Sequence, residues 1–431
     1  MQPPKAKIFT GYEVFVISIL AILQFAVILD FMVLSPLGVI LMKQLQITPS
    51  KFSVVVSAYA FAAGGSGLLA AGFADKFDRK KLLIFFFAGF LLGTVLCALA
   101  TDFTFLLVAR IVTGIFGGVI GSISFAIITD LFKMEVRGRV MGYVQMSFSA
   151  AQVLGIPAGL LLANNFGWHW NFWMIAAIGV IVGIVMLVKM KPVDGHLGLH
   201  PDRNALHHLF HTVSKPKYLF GFLTMSFLAS GGFMLMPFGS AFGTHNMGLT
   251  LDQLPMLYLI TGFFSMFAGP LAGKFSDKVG KYKMFVIGTI MAMAMVVVYC
   301  NLGTTPFWLA SLISILLFVA ITARMIPASA LMTAIPTPED RGAFMSVNSA
   351  AMQISGGFAA VLAGMIVGQT PAGFIEHYDT LGYVVVGTMT VMVAMMYFIN
   401  KDISGRPIAQ PHTAREEQSE TVIPEFAVEG M

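Results

Sequence analysis

The sequence predicts an all-α membrane protein, with twelve spans in two pseudo-symmetric six-helix bundles. Three observations carry that prediction. Hydrophobic residues make up 57% of the 431 positions and charged residues 11%, and the mean hydropathy is +0.83. Soluble domains carry about 25% charged and 45–50% apolar residues. The apolar residues come in unbroken runs near the ~20 needed for a spanning helix, without the alternation of ~10-residue barrel strands. The second half of the chain also echoes the first. This balance excludes disorder over most of the length, and two cysteines exclude a disulfide scaffold.

In chain order the expected spans are α1 over 13–43, α2 over 51–74, α3 over 81–100, α4 over 103–132, α5 over 138–164 and α6 over 170–190. The second set is α7 over 217–244, α8 over 252–275, α9 over 282–300, α10 over 306–334, α11 over 341–368 and α12 over 381–400. The short basic segment before α1 leads into an apolar run longer than the ~7–15 residues of a signal-peptide core, so α1 is expected to be retained. Small residues mark close helix approach: Gly64, Gly65, Gly67 and Gly72 in α2, Gly114, Gly117, Gly118 and Gly121 in α4, and Gly356 and Gly357 in α11. Gly155, Pro157 and Gly159 are expected to bend α5.

The formal charge of +5 is topological. Of 26 Lys and Arg, 22 fall in the segments that share a side with both termini. Lys43 and Lys51 lie on the other side, and Arg110 and Arg324 fall inside helices. By the positive-inside rule both ends are expected to be cytoplasmic. Nucleic acid is therefore not an expected partner.

Two pairs of loops repeat. AGFADKFDRKK (71–81) is echoed by GKFSDKVGKYK (273–283), and MEVRG (134–138) by PEDRG (338–342). Cys97 and Cys300 also correspond, at an offset of 203. The expected division is an N-terminal bundle over 1–190, a cytoplasmic linker over 191–216, a C-terminal bundle over 217–400 and a disordered tail over 401–431. Parallel repeats of this kind mark transporters, with the substrate site between the halves. The linker holds five of the nine histidines. His207 and His211 would share a helix face, which suits either a divalent metal or an amphipathic helix on the membrane surface. No carboxylate or cysteine completes a ligand set, so no metal site is assigned.

The paired loops and the twelve-span layout resemble the major facilitator superfamily, nearest its bacterial drug and sugar efflux branch. The family's loop 2–3 motif reads roughly G-x-L-A-D-R-x-G-R-K. Here Asp75, Arg79 and Lys80 match, while Ala71 and Asp78 replace the glycines. The α4 motif R-x-x-x-G is Arg110 to Gly114. The α5 antiport motif G-x-x-x-G-P-x-x-G-G is represented by Gly155, Pro157 and Gly159, with the proline shifted and the double glycine lost. GWHWNF (167–172) is similar to the family's α5–α6 corner. The resemblance implies alternating access by a monomer in the lipid bilayer, driven by protons, with no cofactor. It also implies a latch between halves formed by Asp75, Arg79 and Arg137, with Asp277 and Arg341 as a weaker counterpart. The same charges also fit plain positive-inside placement.

Ionisable residues in mid-helix are the informative ones. A charge at a helix centre costs about 2.5–3.5 kcal/mol on insertion scales and needs a partner or a wet cavity. At ~1.5 Å per residue, Asp30 lies about 24 Å up α1 and Arg110 about 10 Å from the outer end of α4. Both fall in the outer half of a ~30 Å core. They are expected to meet directly or through Gln24 or a water, either as a proton-coupling pair or as a static packing pair. Arg324 is placed either against an anionic group or snorkelling to the inner surface. Asp130 is read as a helix-end partner for loop arginines.

The cavity candidates are Gln24, Tyr59, Gln152, Met234, Met236, Phe238, Arg324, Asn348 and Gln353. Methionine and aromatic residues suit lipophilic cargo. The expected function is proton-coupled export of small lipophilic molecules. Sugar or metabolite efflux, lipid transport and proton-driven uptake remain alternatives, with a non-transporting receptor or scaffold behind them. No phosphate loop or nucleophile motif supports an enzyme.

Overall fold

The computed structural model describes residues 9–71, 74–195, 197, 212–337 and 340–404. Among them are twelve helices long and apolar enough to cross a membrane. They are α1 Gly11–Val33, α2 Pro49–Ala70, α3 Arg79–Leu99, α4 Phe103–Leu131, α5 Val136–Phe166, α6 His169–Lys189, α7 Pro216–His245, α8 Gln253–Val279, α9 Lys281–Cys300, α10 Phe307–Met332, α11 Gly342–Ile366 and α12 Tyr378–Ile403. His207, His211, most of the 191–216 linker and nearly all of the tail lie outside the described residues, as do the side chains of Asp75 and Arg341.

Local chemistry sets the ends. Thr10 and Glu13 form a reciprocal capping box at the start of α1. Asp78 caps α3 through the Lys80 amide at 2.8 Å and also accepts from the Val193 amide at 3.1 Å. The Arg79 amide donates to the Val193 carbonyl at 3.0 Å. Asp78, which stands where the family motif has glycine, thus starts a helix and anchors the chain beyond α6. Asp102 caps α4 through the Phe105 amide at 3.0 Å.

Two helices are broken where the sequence reading ran them straight. α1 ends at Val33, and a turn leads into a short helix, Gly38–Gln44. α7 passes through a tight turn at Met236–Phe238 before Gly239–His245. The causes are Pro36 and Pro237, each of which removes an amide donor and crowds the preceding turn. The segments Ser35-Pro36-Leu37-Gly38 and Met236-Pro237-Phe238-Gly239 correspond at an offset of 201, and they meet. The Ser35 hydroxyl donates to the Met236 carbonyl, and the Ser240 hydroxyl donates to the Ser35 carbonyl at 3.1 Å. A β-carbon on Gly38 would lie 3.1 Å from the Pro237 carbonyl oxygen. This clasp closes the end of the bundle opposite the basic loops. On the same end the Asn164 amide donates to the Leu251 carbonyl at 2.8 Å.

α5 widens into a π turn at Ala151–Gly155, where the Ile156 amide reaches back to the Ala151 carbonyl. The wide turn makes room for Pro157, whose ring would crowd a regular turn. Gly155 and Gly159 are packing positions: β-carbons there would sit 2.6 Å from Leu29 and 2.2 Å from Asn171.

The helix pairings repeat. α1 packs on α5 and α6, α2 on α4, α3 on α4 and α6. The same pairings recur as α7 on α11 and α12, α8 on α10, α9 on α10 and α12. Across the seam, α2 packs on α11 and α5 on α8, the two contacts that a two-fold axis would exchange. Phe61 and Phe358 meet edge-on there at 4.9 Å. A hairpin that the sequence reading did not anticipate, Gly368–Gln369 with Ile375–Glu376, precedes α12. The Asn246 side chain fixes it through both the amide and the carbonyl of Ile375, at 2.9 Å each.

Candidate functional site

Two helix crossings set the site. A β-carbon on Gly93 would lie 2.7 Å from the Thr113 amide nitrogen, and one on Gly114 would lie 2.6 Å from the Tyr59 carbonyl oxygen. The backbones of α2, α3 and α4 therefore touch, and Arg110 is brought onto α1. Its guanidinium donates to Asp30 Oδ2 at 2.6 Å, with neither side chain exposed. The Thr94 hydroxyl lies 3.4 Å from Asp30 Oδ1. The sequence reading placed Asp30 and Arg110 together, and they meet directly. Gln24 stays apart, facing Gly121.

Arg110 is incompletely satisfied. Its Nε and second terminal nitrogen have no hydrogen-bond partner among the described residues. Its guanidinium instead lies over the Tyr59 ring, 4.6 Å from the centroid. Tyr59 is therefore a lid on the pair rather than an open cavity wall, and its own side chain is buried. Thr94, the third polar member, was missed; a single hydroxyl in an apolar helix carries no pattern.

The pair exists in one repeat only. With the Pro36–Pro237 offset of 201, Asp30 corresponds to Gly231. With offsets of 203 at Cys97–Cys300 and 204 at Arg137–Arg341, Arg110 corresponds to Ile313 or Ser314. Gly231 packs against Val385 and Met389. The second bundle makes the same helix pairings without the ion pair, so the fold itself does not require it.

Several cavity candidates fall elsewhere. Phe238 and Met234 are buried; Phe238 packs 6.4 Å from Phe52 across the seam, and the Met236 carbonyl belongs to the clasp. Bulky apolar groups here close the seam instead of lining a space. Gln152 sits in the π turn with its backbone against Gly262 of α8. Asn348 touches the Met352 sulfur at 3.7 Å, while its Oδ1 and the Gln24 Oε1 are buried without partners among the described residues. Gln353 is half-buried.

Arg324 departs from one of its two readings. It is 2% exposed, so it does not snorkel. Its guanidinium meets the Met392 sulfur of α12 at 3.3 Å, and its Nε has no partner among the described residues. Gly288 explains the geometry, since a β-carbon there would lie 2.9 Å from the Arg324 amide nitrogen. The tight α9–α10 crossing turns the side chain toward α12.

At the basic end, Arg79 pairs with Asp130 at 3.2 Å, and its guanidinium also donates to the Ala74 carbonyl at 3.0 Å. Arg137 donates to the Phe132 carbonyl at 2.8 Å and the Thr129 carbonyl at 2.5 Å. Both arginines thus secure the end of α4. Asp277 is exposed. In the second bundle Asp340 is held instead, accepting from Lys215 at 2.5 Å and from the Tyr218 hydroxyl at 2.8 Å.

The sequence profile of the Major Facilitator Superfamily matches residues 20–323 and, overlapping, 239–424. The chain belongs to the Major Facilitator Superfamily. It is a multi-pass membrane transporter and not an enzyme. It is 24% identical over 385 residues to the uncharacterised MFS-type transporter YceJ of Bacillus subtilis (strain 168), covering 88% of this chain and 92% of that one. It is 33% identical over 131 residues to Multidrug resistance protein 3 of the same organism, covering 30% of this chain and 26% of the relative. Its fold is similar to the crystal structure of a D-xylose-proton symporter, with a TM-score of 0.71, 19% identity, and coverage of 88% of this chain and 97% of that one.

Proposed function

We propose that this transporter exports small lipophilic molecules in exchange for protons, with Asp30 as the exchanging carboxylate and Arg110 as its resting partner. The observation that carries the reading is the one-sided ion pair. A charge pair costs much to bury, and the repeat shows that the helices pack without it. Protonation of Asp30, or binding of a cation to it, requires the carboxylate to leave Arg110. One carboxylate serves one of them at a time, which gives exchange.

Lipophilic cargo is supported by the partial likeness to Multidrug resistance protein 3. It is also supported by an apolar groove of about 240 Å³ on the α5–α8 seam, lined by Val153, Leu259, Ile260, Phe263 and Phe264. The charge asymmetry supports cytoplasmic termini, and the Bacillus subtilis relatives support a bacterial cytoplasmic membrane. The proton gradient then supplies the energy, and the clasp closes the outer end.

The test is binding of tetraphenylphosphonium to purified protein at pH 6 and pH 8. A competing proton makes wild-type binding tighter at pH 8, by up to about tenfold per pH unit for one proton. Asp30→Asn, which keeps the side-chain shape, loses that dependence. Binding to wild type that ignores pH rejects the reading.

Sugar or metabolite efflux is the second reading. The unpartnered Gln24 Oε1 and Asn348 Oδ1 favour it, as buried acceptors suited to hydroxyl donors. Saturable sugar binding with no cation binding selects it.

A further inference from the structure

Asp30 and Phe31 are neighbours on α1 and so point about 100° apart. Asp30 faces Thr94 and Arg110. Phe31 faces two other rings. Its centroid is 5.2 Å from Tyr59 on α2 and 5.5 Å from Phe233 on α7 in the other bundle. Tyr59 in turn carries the Arg110 guanidinium on its face. Phe233 is seated over Gly356 of α11, where a β-carbon would lie 2.6 Å from the ring. An unbroken chain of contacts therefore runs from Arg110 through Tyr59 and Phe31 to the opposite bundle.

We infer that Tyr59 is the positioning residue of the Asp30–Arg110 pair, and that Phe31 and Phe233 hold it shut as a lid whose closure depends on contact between the two bundles. The inference rests on the pair being the working site. The chemistry follows from the donors Arg110 leaves unused. When the Asp30 carboxylate leaves, the face of the Tyr59 ring stays against the guanidinium, beside a long 3.4 Å contact to the Asp30 carbonyl, and it keeps the cation in place for the carboxylate's return. The Phe31–Phe233 contact spans the seam that must part when the closed end opens. Parting removes Phe233 from Phe31, frees the stack and uncovers the pair. The pair is thereby released in one conformation and covered in the other, as exchange without leak requires.

The chain supplies its own reporters, because it has two cysteines. Cys97 is buried beside the site, its thiol 3.8 Å from the hydroxyl of Thr113, which lies one turn after Arg110 on α4. Cys300 is buried in the other bundle against Gly382. Modification of each by methyl methanethiosulfonate is followed by mass spectrometry on the purified full chain. Phe233→Ala and Tyr59→Ala are expected to speed Cys97 modification at least about tenfold, because buried thiols react through local opening. Tyr59→Phe, which keeps the ring under Arg110, is expected to retain the wild-type rate. Phe52→Ala, which loosens the same seam at the Phe52–Phe238 contact away from the pair, is also expected to leave Cys97 slow. Cys300 is expected to keep its rate throughout. A wild-type Cys97 rate in Phe233→Ala overturns the inference. So does acceleration shared by Phe52→Ala or by Cys300, since that reports general loosening. Because the thiols report access and not proton exchange, failure of the cation-binding test leaves this outcome independent.

Discussion

Asp30 and Arg110 form a fully buried ion pair with a 2.6 Å contact, 80 residues apart in sequence. Breaking a buried pair by removing one partner costs about 3–5 kcal/mol, because it strands the other charge. Arg110→Ala is therefore expected to lower the thermal midpoint in detergent more than the double variant Asp30→Asn with Arg110→Gln, which strands no charge. A double variant as unstable as Arg110→Ala would mean that packing, not charge, sets the cost.

The crossing that delivers Arg110 depends on Gly114. Its α-carbon faces the Tyr59 backbone, which cannot give way as a flexible side chain would. Gly114→Val is expected to destabilise by about 1–3 kcal/mol or more through overpacking and to yield little monodisperse protein. Gly142→Ala is the control, since nothing lies within 4 Å of a β-carbon there; it is expected to purify as wild type on size-exclusion chromatography.

The clasp between Ser35, Met236 and Ser240 holds one end closed. Two hydrogen bonds at about 1 kcal/mol each correspond to roughly a 30-fold change in the open–closed ratio. Spin labels at the exposed positions Gln46 and Asp252 read this end by pulsed electron resonance. Wild type is expected to give mainly a short distance. Ser35→Ala with Ser240→Ala is expected to add a longer component, and unchanged distributions would exclude the clasp as a closing element.

Asp340 ties the start of α7 to the start of α11 through Lys215 and Tyr218. Asp340→Ala is expected to speed amide exchange at residues 217–219, by an amount matching the loss of charge-assisted bonds worth about 1.5–3 kcal/mol. Exchange unchanged there would place the order of this segment in apolar packing, such as Tyr218 on Phe344 at 5.3 Å.

Much of this architecture is legible in the sequence because its physics is local. Spans announce themselves by length and hydropathy, and the cost of a buried charge leads from Asp30 to Arg110. The end of α1 was not legible in the same way: apolar residues continue from Val33 to Met42, and hydropathy hides the break that Pro36 imposes. The correspondence of Pro36 with Pro237 was visible but became meaningful only when the two breaks met. Side-chain direction was not legible. Arg324 turns to Met392 because of a backbone approach at Gly288, and Phe238 closes a seam because Phe52 faces it. Asp340 was overlooked because the repeated loops drew attention to Asp277 and Arg341, whereas its partner Lys215 lies 125 residues away.

The most direct measurement of the central claim is the number of protons released when tetraphenylphosphonium binds, obtained by calorimetry in buffers of differing ionisation enthalpy over a series of falling pH values. Wild type is expected to release a fraction that rises toward one proton per cation as the proton replaces Arg110 on Asp30, and Asp30→Asn none. Cation binding by wild type without proton release at any pH would contradict the account, because Asp30 would then not be shared between the two.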